Sequence, residues 1–296
     1  MNPTFFDYLE IFNEFFMNEF NLETSLFEKN VNHFRLMYED TISIRIPKEL
    51  HPSKIFALIF TRTNLNYLIG SYHSLRNGLP SYSLMGLRVV LESITRGYYY
   101  LCEENSACVS YLYILNQMKD VPIDSKDIII LKSIIKNIDN PDIVKIAETN
   151  LKNERLSDAE MSELNKLDKS SREFKSIINK IYTKTRQKKI RQIWAVLSRY
   201  AHAGTLGRYK DLSYRDEDRG YYQELLNTLL LLLSGNIIFF IESFYPYIIL
   251  KSQYFESIFE YLNLYPMFTP NKSKYSDSFN FNSAEFFRSD YLGFKV

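Results

Sequence analysis

The sequence predicts an all-α fold, an antiparallel helical bundle with a charged helical insertion, and three observations predict it. Chain breakers are scarce: nine Gly and nine Pro in 296 residues, about 6% of the chain where ~12% is usual. Apolar residues are plentiful, at 46% hydrophobic and 16% aromatic, with 23 Tyr, 22 Phe and one Trp. Apolar positions recur at three- and four-residue steps through most of the chain. A sandwich or barrel needs a turn roughly every 8–12 residues and the Gly, Pro and Asn chemistry to make it. Disorder needs low hydrophobicity and high net charge, whereas 36 Lys+Arg here face 35 Asp+Glu for a net charge of +1. That balance also provides no global field for nucleic acid or membrane, so any such contact must come from a local patch.

The elements follow in order, and residues 1–296 read as one helical domain. Within 1–50, Phe5, Leu9, Phe12, Phe16 and Phe20 recur at helical steps with Glu10, Glu14 and Asn18 between them, an amphipathic helix with a Phe face. Ile42, Ile44 and Ile46 alternate up to Pro47, so 42–52 reads equally as a short strand or an extended connector. A helix over about 53–75 stops at Asn77-Gly78. Pro80 suits the first turn of the next, along which Leu84, Leu87, Leu91, Ile94, Tyr98 and Leu101 recur. So short a link makes the two an antiparallel hairpin.

Residues 119–187 turn polar, with apolar islands such as 128–131 and a capping-box pattern from Ser157 to Glu160. They predict several shorter, more exposed helices inserted into a core bundle made of 53–118 and 188–250. A helix over about 188–203 ends at Gly204, and a charged link over 208–219 leads into the longest apolar run, 225–241. Residues 266–296, rich in Tyr, Phe, Ser and Asn without a period, read as an irregular tail. The run 225–241 is 17 residues long, where a spanning helix needs about 20. Its Asn227, Thr228, Ser234 and Asn236 would need partners inside lipid. A central buried helix is expected, with a membrane segment as the alternative.

Cofactor and metal signatures are absent. The glycines form no GxGxxG or P-loop pattern and no GxSxG elbow. His33, His51, His73 and His202 lie far apart with no HExxH and no CxxC, so neither a cofactor nor a metal is expected. Cys102 and Cys108 are too few for a disulfide framework and read as core thiols. Asp7, Glu10 and Glu14 replace the basic start of a secretory signal, which points to a cytoplasmic protein.

Three constellations are candidates for chemistry. Arg191, Ser198 and His202 share one helix face beside the apolar stripe Ile190, Ile193, Trp194, Leu197 and Ala201. On the hairpin, Arg62, Asn66 and His73 form a polar stripe, and Arg62 falls in the apolar register of Ile55, Leu58, Leu65 and Ile69, where a charge is costly unless paired. Arg88 and Glu92 stand at i, i+4 on its second helix. These groups read either as an ion pair locking helices together or as a polar pocket for a phosphate or another anion. Lys180, Lys184, Arg186, Lys188, Lys189 and Arg191 place six cations in twelve residues, suited to tracking a phosphate backbone or to a solvated face.

Leu87-Arg88-Val89-Val90-Leu91-Glu92-Ser93 in one long helix, followed by Leu197-Ser198-Arg199-Tyr200-Ala201-His202-Ala203-Gly204, resembles the divergent helical-bundle proteins of the HEPN superfamily. The likeness covers roughly 53–118 and 188–245. It implies an intracellular protein that binds RNA or cleaves it without a metal, usually as a homodimer, in a defence or toxin setting. Ribonucleases of that superfamily carry Arg, four to six residues, then His. Here Arg199 precedes His202 with two residues between and Arg191 with ten. On that reading His202 is the acid or base, Arg199 or Arg191 offsets phosphorane charge, and Ser198 is a positioning donor. The alternatives are a non-enzymatic helical interaction or oligomerisation protein and a membrane-associated protein anchored by 225–241.

Overall fold

The computed structural model describes residues 21–44, 46–47, 50–118, 125–152, 156–201, 219–244 and 247–248. Those residues form ten helices and no strand: α1 (Asn21–Ile44), α2 (Pro52–Arg76), α3 (Pro80–Cys102), α4 (Glu104–Gln117), α5 (Ser125–Asn137), α6 (Pro141–Leu151), α7 (Asp158–Arg172), α8 (Phe174–Ile181), α9 (Lys184–Ala201) and α10 (Arg219–Phe244). The all-α bundle read from composition and periodicity is therefore what the chain forms. The Phe-faced segment 5–20, the link 208–218 and the tail 266–296 lie outside the described residues.

Local chemistry sets the hairpin. Pro52 and Pro80 each occupy the first turn of a helix, where the missing N–H has no bond to lose. Between them Gly78 takes a φ of 70°, a left-handed conformation that side chains with a Cβ resist. The two helices then approach closely at Gly86, where a Cβ would overlap Ser71 Oγ and lie 3.2 Å from the Tyr67 carbonyl. Ser71 Oγ donates to the Ser83 carbonyl at 3.0 Å across the same contact.

α10 fills the space between α1, α2 and α3, and the run 225–241 is almost wholly buried. No described helix is long and apolar enough to cross a membrane. Asn236 and Ser234 of the run, and Ser243 just beyond it, are bonded within the protein. Asn236 donates to the Thr61 carbonyl and accepts from Asn64 Nδ2, both at 3.0 Å. Ser234 and Ser243 donate to carbonyls one turn back, and Phe239 lies against Gly97 with its ring 5.0 Å from that of Tyr98. Phe240 meets Phe34 at 5.7 Å and Tyr38 at 5.2 Å on α1.

Two expectations change. Residues 42–44 are the last turn of α1, not strand or connector. Three alternating Ile over five residues cannot hold a strand without a neighbour to pair with, and Thr41 Oγ1 bonds the Met37 carbonyl in helical fashion. The polar segment 119–187 does form shorter helices, with the capping box of Ser157 and Glu160 in place. It is more than an exposed insertion, because Leu131, Ile134, Ile146, Leu164 and Ile178 belong to the same buried core as α3 and α10. α8 packs on α3, and both α6 and α7 pack on α4.

Candidate nucleic-acid interface

α8 and α9 present one basic face. From Phe174 to Lys210 the chain has ten Lys and Arg and no Asp or Glu. α8 turns Phe174, Ile177, Ile178 and Ile181 inward, and α9 turns Ile190 and Leu197 inward. The helical period leaves Lys175, Lys180, Lys184, Lys188 and Arg191 exposed. Arg191 is tied to Asn179 Oδ1. Lys180 sits 5.3 Å from the centre of the Tyr99 ring. Gln187 joins the two helices, bonding the carbonyls of Tyr182 at 2.5 Å and Asn179 at 3.2 Å.

One polar contact fixes α9 against α3. Glu92 Oε1 accepts from Trp194 Nε1 at 2.7 Å and from Arg88 Nε at 3.0 Å. The Arg88 guanidinium stands 5.9 Å from the centre of the Trp194 indole, which also packs on Phe174 at 5.4 Å. The Arg88–Glu92 pair is half-buried. It is shared between two helices and held by an indole donor, so of the two readings of this pair the geometry favours the lock over an open anion pocket.

The other sequence candidates do not converge on it. Arg62, Asn66 and His73 are exposed on α2. The charge of Arg62 acts on Tyr38 of α1, offsetting part of the rise that burial imposes on that phenol, whereas Arg88 works on α9. The apolar register assigned to Arg62 is thus corrected. The buried line of α2 runs through Phe56, Ala57, Thr61, Asn64, Leu65, Leu68, Ser71, Tyr72 and Leu75, one step round from Ile55, Leu58 and Ile69. Small and polar residues on that line disguise it. Ser198 Oγ is sealed from solvent and has no hydrogen-bond partner among the described residues. His202 and the side chains of Arg186, Lys189 and Arg199 lie outside the described residues.

Sequence reasoning missed a second polar cluster, at the start of α2. His51 caps that helix, its Nδ1 accepting from Ser53 N–H at 3.2 Å, while Nε2 lies 3.5 Å from Cys108 Sγ. An Nδ1 that accepts leaves the neutral ring's proton on Nε2. That nitrogen can neither take a proton from the thiol nor ligate a metal. Burial, then the nearby Glu104 carboxylate, pushes the Cys108 thiol up to about 12. Burial likewise lowers His51. The pair is a neutral capping contact, not a nucleophile with its base. Lys54 beside it is pushed down to about 8 by burial, with Glu104 working the other way, and its ammonium donates to the Ser243 carbonyl at the end of α10. Among the described residues no group of three His, Cys, Asp or Glu side chains is placed to hold a metal.

The α8–α9 face carries exposed cations; the acid and base that would break a phosphodiester are not among its described side chains. Comparison with protein-family models, with characterised proteins and with solved structures gives no match.

Proposed function

We propose that the protein binds RNA along the α8–α9 face, with its lysines and Arg191 following the phosphates. The reading extends to metal-independent cleavage through His202 and Arg199, as the resemblance to the HEPN superfamily implies, and with it to a cytoplasmic homodimer in a defence or toxin setting. The observation that carries it is the carboxylate-free stretch from Phe174 to Lys210, whose described cations are exposed on two helices. Outside that stretch the chain is acidic overall, so the positive field is local and directional.

Fluorescence anisotropy of a labelled single-stranded RNA across a salt series tests the binding. Lys184→Glu with Lys188→Glu removes two phosphate contacts, which lowers the slope of log K against log salt by about 1.4. Unchanged affinity and slope would refute it. Cleavage is tested separately, by wild type and His202→Ala in EDTA. Equal activity in both, or none in either, removes the ribonuclease claim and leaves the binding claim standing. Sedimentation of the purified chain tests the homodimer, and a monomer at working concentration removes it.

A further inference from the structure

The α2–α3 hairpin exposes an apolar face on the side that α9 and α10 leave open. Along α3, Tyr82 is 66% exposed, Met85 is exposed and Val89 is half-buried, at helical steps of three and four. A Cβ on Gly86 would lie 3.2 Å from the Tyr67 carbonyl, so the exposed Tyr67 of α2 stands level with that stripe. Ile59 extends the face two turns back along α2, and Leu79 extends it to the turn. A contiguous apolar face of this kind marks an interaction site. Its charge is nearly of one sign. Residues 52–102 hold five Lys and Arg against a single carboxylate, Glu92. Two copies of the face would therefore oppose like charges, which disfavours a second copy as the occupant.

The chain before α1 has the complementary character. Residues 1–20 contain Asp7, Glu10, Glu14 and Glu19 and no Lys or Arg, and their spacing predicts a Phe-faced helix. They join α1 at Asn21, and α1 starts at the turn end of the hairpin. There Phe27 stacks on Tyr72 at 4.7 Å, and Glu28 accepts from the Tyr72 hydroxyl at 2.7 Å and pairs with Arg76 at 3.4 Å. We propose that Phe5, Leu9 and Phe12 seat as a helix on Tyr67, Tyr82 and Met85 of the same chain, with the acidic segment held in the positive field of the hairpin. Phe5 to Phe12 covers about 10 Å of helix, as does Tyr82 to Val89. Residues 13–20 then span up to about 26 Å, more than the ~16–20 Å of two interhelix spacings that separate α1 from the seat. The aromatic tail 266–296 lacks this charge match, with four Lys and Arg against three Asp and Glu. It also follows α10, which ends beside Lys54 at the other end of the hairpin.

Photo-cross-linking in the full chain tests the seat. With Phe12 replaced by p-benzoylphenylalanine, irradiation and peptide mapping should place the adduct on 79–89 or 59–70. A mixture of 15N-labelled and unlabelled chains separates contacts within one chain from contacts between two, and the adduct should join peptides of one isotope only. Adding Tyr82→Asp with Met85→Asp, at side chains that are already exposed, should lower the yield of that adduct about tenfold or more. Unchanged far-UV circular dichroism establishes that the double variant is folded, and the mapping in the otherwise native chain stands without it. Adducts on the tail, on the α8–α9 face or in mixed-isotope pairs would overturn the proposal, as would no protein adduct or an undiminished yield in the folded double variant.

Discussion

Replacing Asn236 with Leu tests how the polar residues of α10 are accommodated. Asn236 is fully buried and bridges Asn64 Nδ2 and the Thr61 carbonyl, each at 3.0 Å. The network is already incomplete, because Asn64 Oδ1 and Thr61 Oγ1 are sealed without partners. With Leu at 236, the Asn64 amide loses the acceptor it donates to and remains buried. An orphaned buried donor costs about 1–3 kcal/mol. The Thr61 carbonyl keeps its helical bond, so its share is small. Removing both amides together, Asn64→Leu with Asn236→Leu, takes away the orphan as well as the bond. That double variant should be no less stable than wild type within about 1 kcal/mol, as apolar replacement of both partners allows. The measurement is thermal unfolding followed by far-UV circular dichroism, where 1 kcal/mol moves the midpoint by ~2 °C in a chain of this size. Asn236→Leu should lower the midpoint by several degrees and the double variant should recover it. An Asn236→Leu protein more stable than wild type, or a double variant whose loss is the sum of the single losses, would refute the reasoning.

Gly97→Ala places a Cβ 2.2 Å from Cζ of Phe239, well inside contact distance; overpacking costs about 1–3 kcal/mol, more than the ~1 kcal/mol that Ala returns as a helix former. The midpoint should fall, and Phe239→Leu in the same chain should recover part of it. Ser157→Ala breaks the capping box at α7, where Ser157 Oγ accepts from Glu160 N–H at 3.3 Å and Glu160 accepts from Ser157 N–H at 2.9 Å, and should cost about 1 kcal/mol in denaturant unfolding. The Ser157 N–H and then the Ser157 hydroxyl, which donates to Glu160 Oε2 at 2.8 Å, hold the Glu160 carboxyl below its usual range; alanine keeps the first and removes the second, so the hydroxyl's share of the penalty is present above about 4.5 and shrinks as pH falls through the folded value. A penalty that does not vary with pH would refute the link. Cys108 is buried with its thiol pushed up to about 12, so a thiolate-directed reagent at pH 8 should label the half-buried Cys102 alone in the native protein and both in denaturant. A native Cys108→Ser protein with less labelling than wild type would contradict this.

The helices of the hairpin, α9 and α10 were legible because they carry long apolar periods bounded by Pro and Gly, and the Ser157 cap because its two side chains are three residues apart. What escaped were pairings across the fold. The Asn64–Asn236 bond joins residues 172 positions apart, and without it Asn236 reads only as a flaw in an apolar run. The burial of Thr61, Asn64 and Ser71 shifted the inward face of α2 away from the register that hydrophobicity alone suggests, which is why Arg62 was assigned to the wrong side. His51 and Cys108 meet only because α2 and α4 start side by side. Of the candidate site, the basic run was legible and its orientation was not.

That orientation comes from the contact of Arg88 and Glu92 with Trp194. An amphipathic helix with cations over most of its outer half can rotate on its axis at little electrostatic cost, since solvent screens exposed charges in any position. Trp194 removes that freedom. Its Nε1 has a half-buried carboxylate to bond, and its ring fits between Phe174 and the Arg88 guanidinium. A turn of one residue would break both contacts and swing Ile190 and Leu197 off α3. Arg88 in turn keeps Glu92 from being a lone charge against the indole. Arg88, Glu92 and Trp194 thus fix the direction in which Lys184, Lys188 and Arg191 project, and under the proposed RNA binding they would act on the ligand only indirectly. Glu92→Gln keeps the shape and an acceptor oxygen but loses the ion pair, so it should weaken RNA binding less than Trp194→Leu, which frees the helix to rotate. Equal losses in both variants would mean that the charge of Glu92, rather than the placement of α9, is what the ligand senses.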